Sequence, residues 1–251
     1  MNKNNILFGV IGLFAGLLIG FIVTNALHVN EPDTISANIA RSSAPPAGET
    51  EAASNSKDPS ESLSDEEIRG AIAKADARPD DHALQRNFGL ALYQYVTQAR
   101  DTRYLPDVAR FLKRAYDADP KDHDLAVSLG NVHFDIGQSS DPASFAEARK
   151  YYLKALEMKP DDADVRTDLG LTYYFGQPSD PQRAIAEYRK SLALNPRHEP
   201  TLQSLASALI STGNREEARR RIDELQSVNP SNPSLPNLRA QLAQSRNAAQ
   251  E

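Results

Sequence analysis

Apolar positions along the chain fall into three regimes. Ile6 to Val23, "ILFGVIGLFAGLLIGFIV", is a run of 18 residues without a charged side chain. From His28 to about Ser62, large apolar side chains are nearly absent and Ser, Ala, Pro, Asn and Glu dominate. From Leu63 onward, apolar residues return at intervals of three and four, the period of amphipathic helices. That pattern is interrupted at Pro79, Pro120, Pro160, Pro196 and Pro230, spaced by 41, 40, 36 and 34 residues. A proline just past the end of a helical segment is a stop signal.

Between the prolines the chain repeats itself. "LGNVHFDIGQSSDPASFAEARKYY" (129–152) and "LGLTYYFGQPSDPQRAIAEY" (169–188) carry the same Leu-Gly, aromatic, Gly-Gln and Ser-Asp-Pro in the same order. Four units align, at about 81–120, 121–160, 161–196 and 197–230. Each predicts an apolar helix, a turn, a second apolar helix and a closing proline. The first helix carries a small residue, Gly89, Gly130, Gly170 or Ala206, after Phe88, Leu129, Leu169 or Leu205. The second helix opens on Val108, Ala148, Ala184 or Ala218. Four residues on lie Leu112, Tyr152, Tyr188 and Ile222, then Ala115, Ala155, Ser191 and Leu225. A glycine or alanine in the first helix lets the second approach its backbone closely. Asp141-Pro142 and Asp180-Pro181 predict an N-cap followed by proline at the first helical position. As a catalytic Ser-Asp pair, Ser179-Asp180 lacks a histidine placed to complete it.

This register resembles the tetratricopeptide repeat, an antiparallel helix pair of about 34 residues. The resemblance covers about 81–230 and implies an all-α, right-handed α-solenoid of four helix pairs. There are departures. The first three units carry turn insertions of about seven, six and two residues, Val108 and Leu225 exceed the usual small residue, and the chain has no tryptophan. A solenoid exposes apolar faces at its ends, which calls for capping helices. Residues 63–78, "LSDEEIRGAIAKADARP" from Leu63 on, predict a leading cap. Ser64 and Glu67 there form a capping box, and Leu63 with Ile68 a hydrophobic staple. The repeat region is taken as 79–230. Within 231–251, Leu235, Leu238 and Leu242 predict a closing helix followed by a frayed tail.

The resemblance further implies that the first helices line a concave, peptide-binding face. In this register the groove positions are Arg86, Leu90, Tyr93, Asn131, Phe134, Leu171 and Tyr174. The same rows continue through Val127, Thr167, Gln203, Ser207 and Ile210. Asp124, Asp164 and Asp168 add a partly acidic rim. Two readings of the aromatics stay open: they floor a peptide site, or they pack against the inserted turns. The carboxylate clamp of chaperone-binding relatives is not met, since only Arg86 fits and the third unit offers acids. Capture of a free carboxyl terminus is therefore not expected. Adjacent helical residues point about 100° apart, so Tyr173 is expected to face a neighbouring helix and Tyr174 the concavity. His133, Tyr151, Tyr152 and Tyr188 fall at helix-packing positions and read as core.

Composition narrows the chemistry. The chain has no cysteine, which excludes disulfides, thiol nucleophiles and zinc–thiolate sites. Its five histidines show no close ligand spacing, so neither a metal nor another cofactor is expected. The 12 acidic and 5 basic residues of 28–81 contrast with 22 of each in 82–251. A neutral repeat region behind an acidic segment argues against nucleic-acid binding. No segment outside the repeats is long and apolar enough for a catalytic domain, so the chain reads as a non-enzyme.

At 1.5 Å per residue the first apolar run spans about 27 Å, the thickness of a bilayer core. It exceeds the core of a cleaved signal peptide and predicts a transmembrane anchor over 6–27, leaving 1–5 in the cytoplasm. Lys3 precedes it while Glu31 and Asp33 follow, which orients the bulk of the chain outside the cytoplasm. Gly12, Gly16 and Gly20 form a strip on which two such helices can associate as a homodimer. Residues 28–62 cannot bury enough apolar surface to order themselves and predict a disordered acidic linker. The expected class is a membrane-tethered scaffold or assembly factor that binds another polypeptide. The layout also resembles that of repeat proteins of bacterial cytochrome c maturation, which hold the apoprotein. An accessory subunit of a membrane enzyme or secretion complex is the third reading.

Overall fold

A computed structural model describes residues 64–247. The expected membrane helix with Gly12, Gly16 and Gly20, the linker, Leu63 of the staple and the last four residues lie outside them. Among the described residues no helix is long and apolar enough to cross a membrane. The described residues form ten α-helices, one 3-10 turn and no strand.

Helix α1 (Asp65–Asp76) begins as its first turn dictates. Ser64 N–H donates to Glu67 Oε2 at 2.9 Å, and Glu67 N–H donates to Ser64 Oγ at 3.3 Å. This reciprocal box satisfies two amides that the helix itself cannot. The chain divides at Lys74–Ala75, inside this helix, and all the helix pairs belong to the second unit.

Four antiparallel pairs follow. They are α2 (His82–Ala99) with α3 (Leu105–Ala118), α4 (His123–Ser139) with α5 (Ser144–Met158), α6 (Ala163–Phe175) with α7 (Pro181–Leu194), and α8 (Glu199–Ser211) with α9 (Arg215–Val228). Each second helix also packs on the first helix of the next pair, so the pairs stack in chain order. The second helices end at Ala118, Met158, Leu194 and Val228, each two residues short of its proline. Asp81, Asp122 and Asp162 cap the first three pairs, accepting from the amides of Leu84, Leu125 and Val165 at 3.0 Å. Helix α10 (Leu235–Asn247) closes the stack. Its Leu235, Leu238 and Leu242 join one buried cluster with Leu209, Ile222 and Leu225.

One helix start differs from the sequence expectation. Asp180 does cap α7, accepting from Arg183 N–H at 3.1 Å, with Pro181 at the first position. Asp141-Pro142, by contrast, does not open α5. Asp141 Oδ1 takes the amide of Ala143, Ser144 and Phe145 bond back three residues, and the α-helix begins at Ser144. The aspartate forms a tight turn ahead of the helix because its side chain bonds two residues on rather than three.

Within a pair, the decisive contact is made over the small residue. The Tyr188 ring lies on the α6 backbone at Gly170, where a Cβ would meet Tyr188 Cδ1 at 2.7 Å. Tyr152 covers Gly130 in the same way. At Gly89, Leu112 takes the role, its Cδ2 2.7 Å from where a Cβ would stand. Tyr152 and Tyr188 are 1% and 0% exposed, so these rings have nowhere to retreat.

Gly170→Leu therefore forces an overpacked contact and is expected to lower stability by about 1–3 kcal/mol or more. On an open helix face leucine would instead help by roughly 0.8 kcal/mol. Thermal unfolding of the two proteins decides, and a higher melting temperature for the variant would contradict the contact.

Candidate peptide-binding groove

The first helices of successive pairs bring the groove residues into contact across repeats. Tyr93 of α2 donates its hydroxyl to Asp135 Oδ2 of α4 at 2.7 Å. Asn131 accepts from Tyr152 Oη at 2.8 Å. Phe134 meets Phe145 edge-on, with centroids 5.2 Å apart, and reaches Phe175 at 6.3 Å. Tyr174 packs edge-on against Phe175 at 5.2 Å. Together with Leu171 it also rests on the last core cluster. Leu90 is partly buried, and Arg86 Nε lies 3.3 Å from the capping Asp122. The aromatics thus serve in part as packing residues: Phe134 bears on Phe145, just after the inserted turn. Phe175, which the sequence register did not single out, is 46% exposed and carries the row to the surface.

Thr167 corrects a register expectation. It is 2% exposed and faces the next pair instead of the groove. Its hydroxyl joins those of Ser191 and Thr201 at 3.0 and 2.6 Å. His198 Nδ1 meets Thr201 Oγ1 at 2.6 Å, and His198 Nε2 meets Asp164 Oδ1 at 2.8 Å. The order Asp–His–Thr has the form of a nucleophilic relay. The Thr201 hydroxyl is fully buried and already bonded to two others, so it ties the third pair to the fourth. Ser179 donates to Tyr174 O at 2.6 Å, which holds the turn before α7.

Tyr173 lies on the side predicted for it. The Arg149 guanidinium stands over its ring at 4.2 Å and that of Arg183 at 5.8 Å. His133 stacks on Tyr151 at 5.6 Å, and burial pushes its pKa below the ordinary imidazole value. Outside the groove, Arg166–Glu187 at 3.1 Å and Arg189–Glu217 at 2.6 Å pin neighbouring helices. Among the described residues no group of three or more His, Cys, Asp or Glu is placed to hold a metal ion.

The electrostatic centre of the groove is Asp168. Burial, and then the charges of Asp164 and Asp162, push its pKa up to about 7. Burial followed by the charge of Asp168 raises the phenol of Tyr152 well above its usual range. Tyr93 is raised by burial, then by its bond to Asp135 and by the charges of Asp135 and Asp168. Asp135 is itself raised by burial, which its bond from Tyr93 partly offsets. Together with Phe134, Val96 and Leu105, Asp135 lines a cleft of about 430 Å³. Asp135 escaped the sequence reading because no local pattern marks it. The partner that reveals its role lies 42 residues earlier.

A family model of the tetratricopeptide repeat matches residues 177–242, and a second matches 143–162. With the pairwise packing, the small residues under the covering rings and the closing prolines, these matches decide the architecture. The described helix pairs are a tetratricopeptide-repeat solenoid. Among solved structures, a tetratricopeptide repeat protein from Parabacteroides merdae is 21% identical with a TM-score of 0.56, covering 72% of this chain and 65% of its own. YrrB, described as having an unusual peptide-binding site, is 17% identical with a TM-score of 0.54, covering 70% and 84%. MamA is 20% identical with a TM-score of 0.52, covering 66% and 90%. At these identities the likeness is one of fold. No curated protein sequence matches the chain.

The raised carboxyl of Asp168 makes stability depend on pH. Its unfolded value is about 3.9, so between about pH 4 and 7 the folded state holds a proton that the unfolded state has lost. Stability from this group is full below that window and falls as pH rises through it. Asp168→Asn should therefore leave stability little changed at pH 4 and raise it at pH 8, by up to about 4 kcal/mol. Denaturant unfolding at the two pH values tests this, and a variant less stable than the parent at pH 8 would contradict it.

Proposed function

We propose that the protein is a membrane-tethered tetratricopeptide-repeat scaffold that binds another polypeptide through its concave groove, outside the cytoplasm. The observation that carries this reading is the aromatic row of the first helices. Tyr93, Phe134, Tyr174 and Phe175 come from three successive pairs, and Phe175 stays 46% exposed. Rigid aromatic side chains on a packed scaffold are the usual anchors of a polypeptide ligand. The fold is shared with YrrB, which is described as having a peptide-binding site, although an unusual one. The tether is supported by the charge-free run from Ile6 to Val23, with Lys3 before it and Glu31 and Asp33 after it.

Full-length protein extracted from membranes in detergent is expected to co-purify with a polypeptide partner identified by mass spectrometry. Phe134→Leu combined with Phe175→Ala keeps an apolar side chain over Phe145 but removes the exposed ring. Loss of an anchor commonly costs about 2 kcal/mol, so capture should fall about 30-fold while the helical circular-dichroism signal persists. Undiminished capture by this variant would mean that the aromatics only pack. A reporter fused after Glu251 should be active outside the cytoplasm, and activity confined to the cytoplasm would reject the topology.

A further inference from the structure

We infer that the segment received by the concave face carries a lysine or arginine beside an apolar side chain, with the cation seated at Asp168. The inference deepens the reading above and rests on it.

The acids around the groove divide into two kinds. Asp122 pairs with Arg86 at 3.3 Å, Asp164 with His198 at 2.8 Å, and Asp124 with His123 at 3.1 Å and Lys159 at 3.9 Å. Asp162 caps α6 and has His123 at 3.5 Å. Asp168 has no ion pair among the described residues, and the charges that bear on it, Asp164 and Asp162, are like its own. Asp135 is held by the Tyr93 hydroxyl alone, which leaves its second oxygen free. A half-buried carboxylate without a counter-charge is costly unless an occupant supplies one.

A second observation points to the same spot. In the second repeat Tyr152 crosses the backbone at Gly130 and gives its hydroxyl to Asn131. Tyr188 crosses at Gly170 in the same manner, but the next residue is Leu171, which accepts nothing. Tyr188 Oη is fully buried and has no hydrogen-bond partner. It lies within electrostatic reach of Asp168 and Tyr174. An orphan phenol oxygen within electrostatic reach of an unpaired carboxylate marks a spot short of donors, and an ammonium or guanidinium supplies them. The adjoining surface is apolar and aromatic, from Tyr174 through Phe175 to Phe134. The segment 28–62 of this chain is itself acidic and would be repelled. Anionic lipid and nucleic acid are disfavoured on the same ground.

Immobilised full-length protein is to be challenged at pH 8 with a library of random dodecapeptides, and the retained pool sequenced. The expected pool is enriched in lysine or arginine adjacent to an aromatic or aliphatic residue. The most enriched peptide should lose at least tenfold in affinity for Asp168→Asn and a few-fold for Tyr188→Phe. Both variants are expected to stay folded, because Asp168→Asn removes a half-buried charge without an ion pair and Tyr188→Phe a buried hydroxyl without a partner. The Phe134→Leu, Phe175→Ala variant run in parallel separates the two claims. If wild type retains peptides that this variant does not, and they are acidic or uncharged, the groove binds but the cationic preference is wrong. If a cationic pool is retained equally well by Asp168→Asn, the seat is not Asp168 and the inference fails. If wild type and the aromatic variant retain the same pool, the groove reading fails and this inference with it.

Discussion

A ring laid across a glycine backbone is the contact on which the rest of this domain depends. Tyr152 over Gly130 and Tyr188 over Gly170 set how closely the two helices of each central pair approach. In the first pair Leu112 covers Gly89, and in the fourth Ala206 and Ile222 share one buried cluster. The four solutions fill similar space, but only the tyrosines carry a polar end. Crossing the first helix delivers a phenol oxygen toward the groove in the second and third repeats alone. The polar spot of the concave face is therefore a by-product of how the central pairs are packed.

That by-product meets a second constraint. A first helix serves two neighbours, its own partner and the next pair, so a residue two positions before the small one is enclosed in part. Asp168 sits half-buried there, and its charge bears on Tyr93, Tyr152 and Tyr188 from three repeats. Cations elsewhere on the solenoid are engaged: Arg166 with Glu187, Arg189 with Glu217, and Arg149 with Thr172 and the Tyr173 ring. None of these reaches the groove centre. A scaffold that keeps one carboxylate half-buried and uncompensated sacrifices stability there, which a bound cation of the proposed kind would restore.

Much of this was legible in the chain because the signals are local. Closing prolines, aspartate caps and the four-residue step from Ala184 to Tyr188 all act within one or two helical turns. So does the capping box at Ser64 and Glu67. The start of α5 was less legible, because an aspartate before a proline can cap a helix or close a turn ahead of it. Thr167 was misassigned to the groove for a related reason. Its hydrogen-bonding partners Ser191 and Thr201 lie 24 and 34 residues away, and nothing in its own helix announces them.

The sequence by itself determined that the chain builds four helix pairs, where each pair ends, where most of its helices begin, and which small residue each large side chain must cover. Helix periodicity and capping depend only on neighbours within about four residues, so a linear reading recovers them. Only the tertiary structure decided that Phe134 packs while Phe175 emerges, that Asp135 takes the Tyr93 hydroxyl, and that Asp168 is left without a cation. Those outcomes depend on side chains brought together across repeats. Exposure, pairing and local dielectric are properties of that assembled surface, and no single helix contains them.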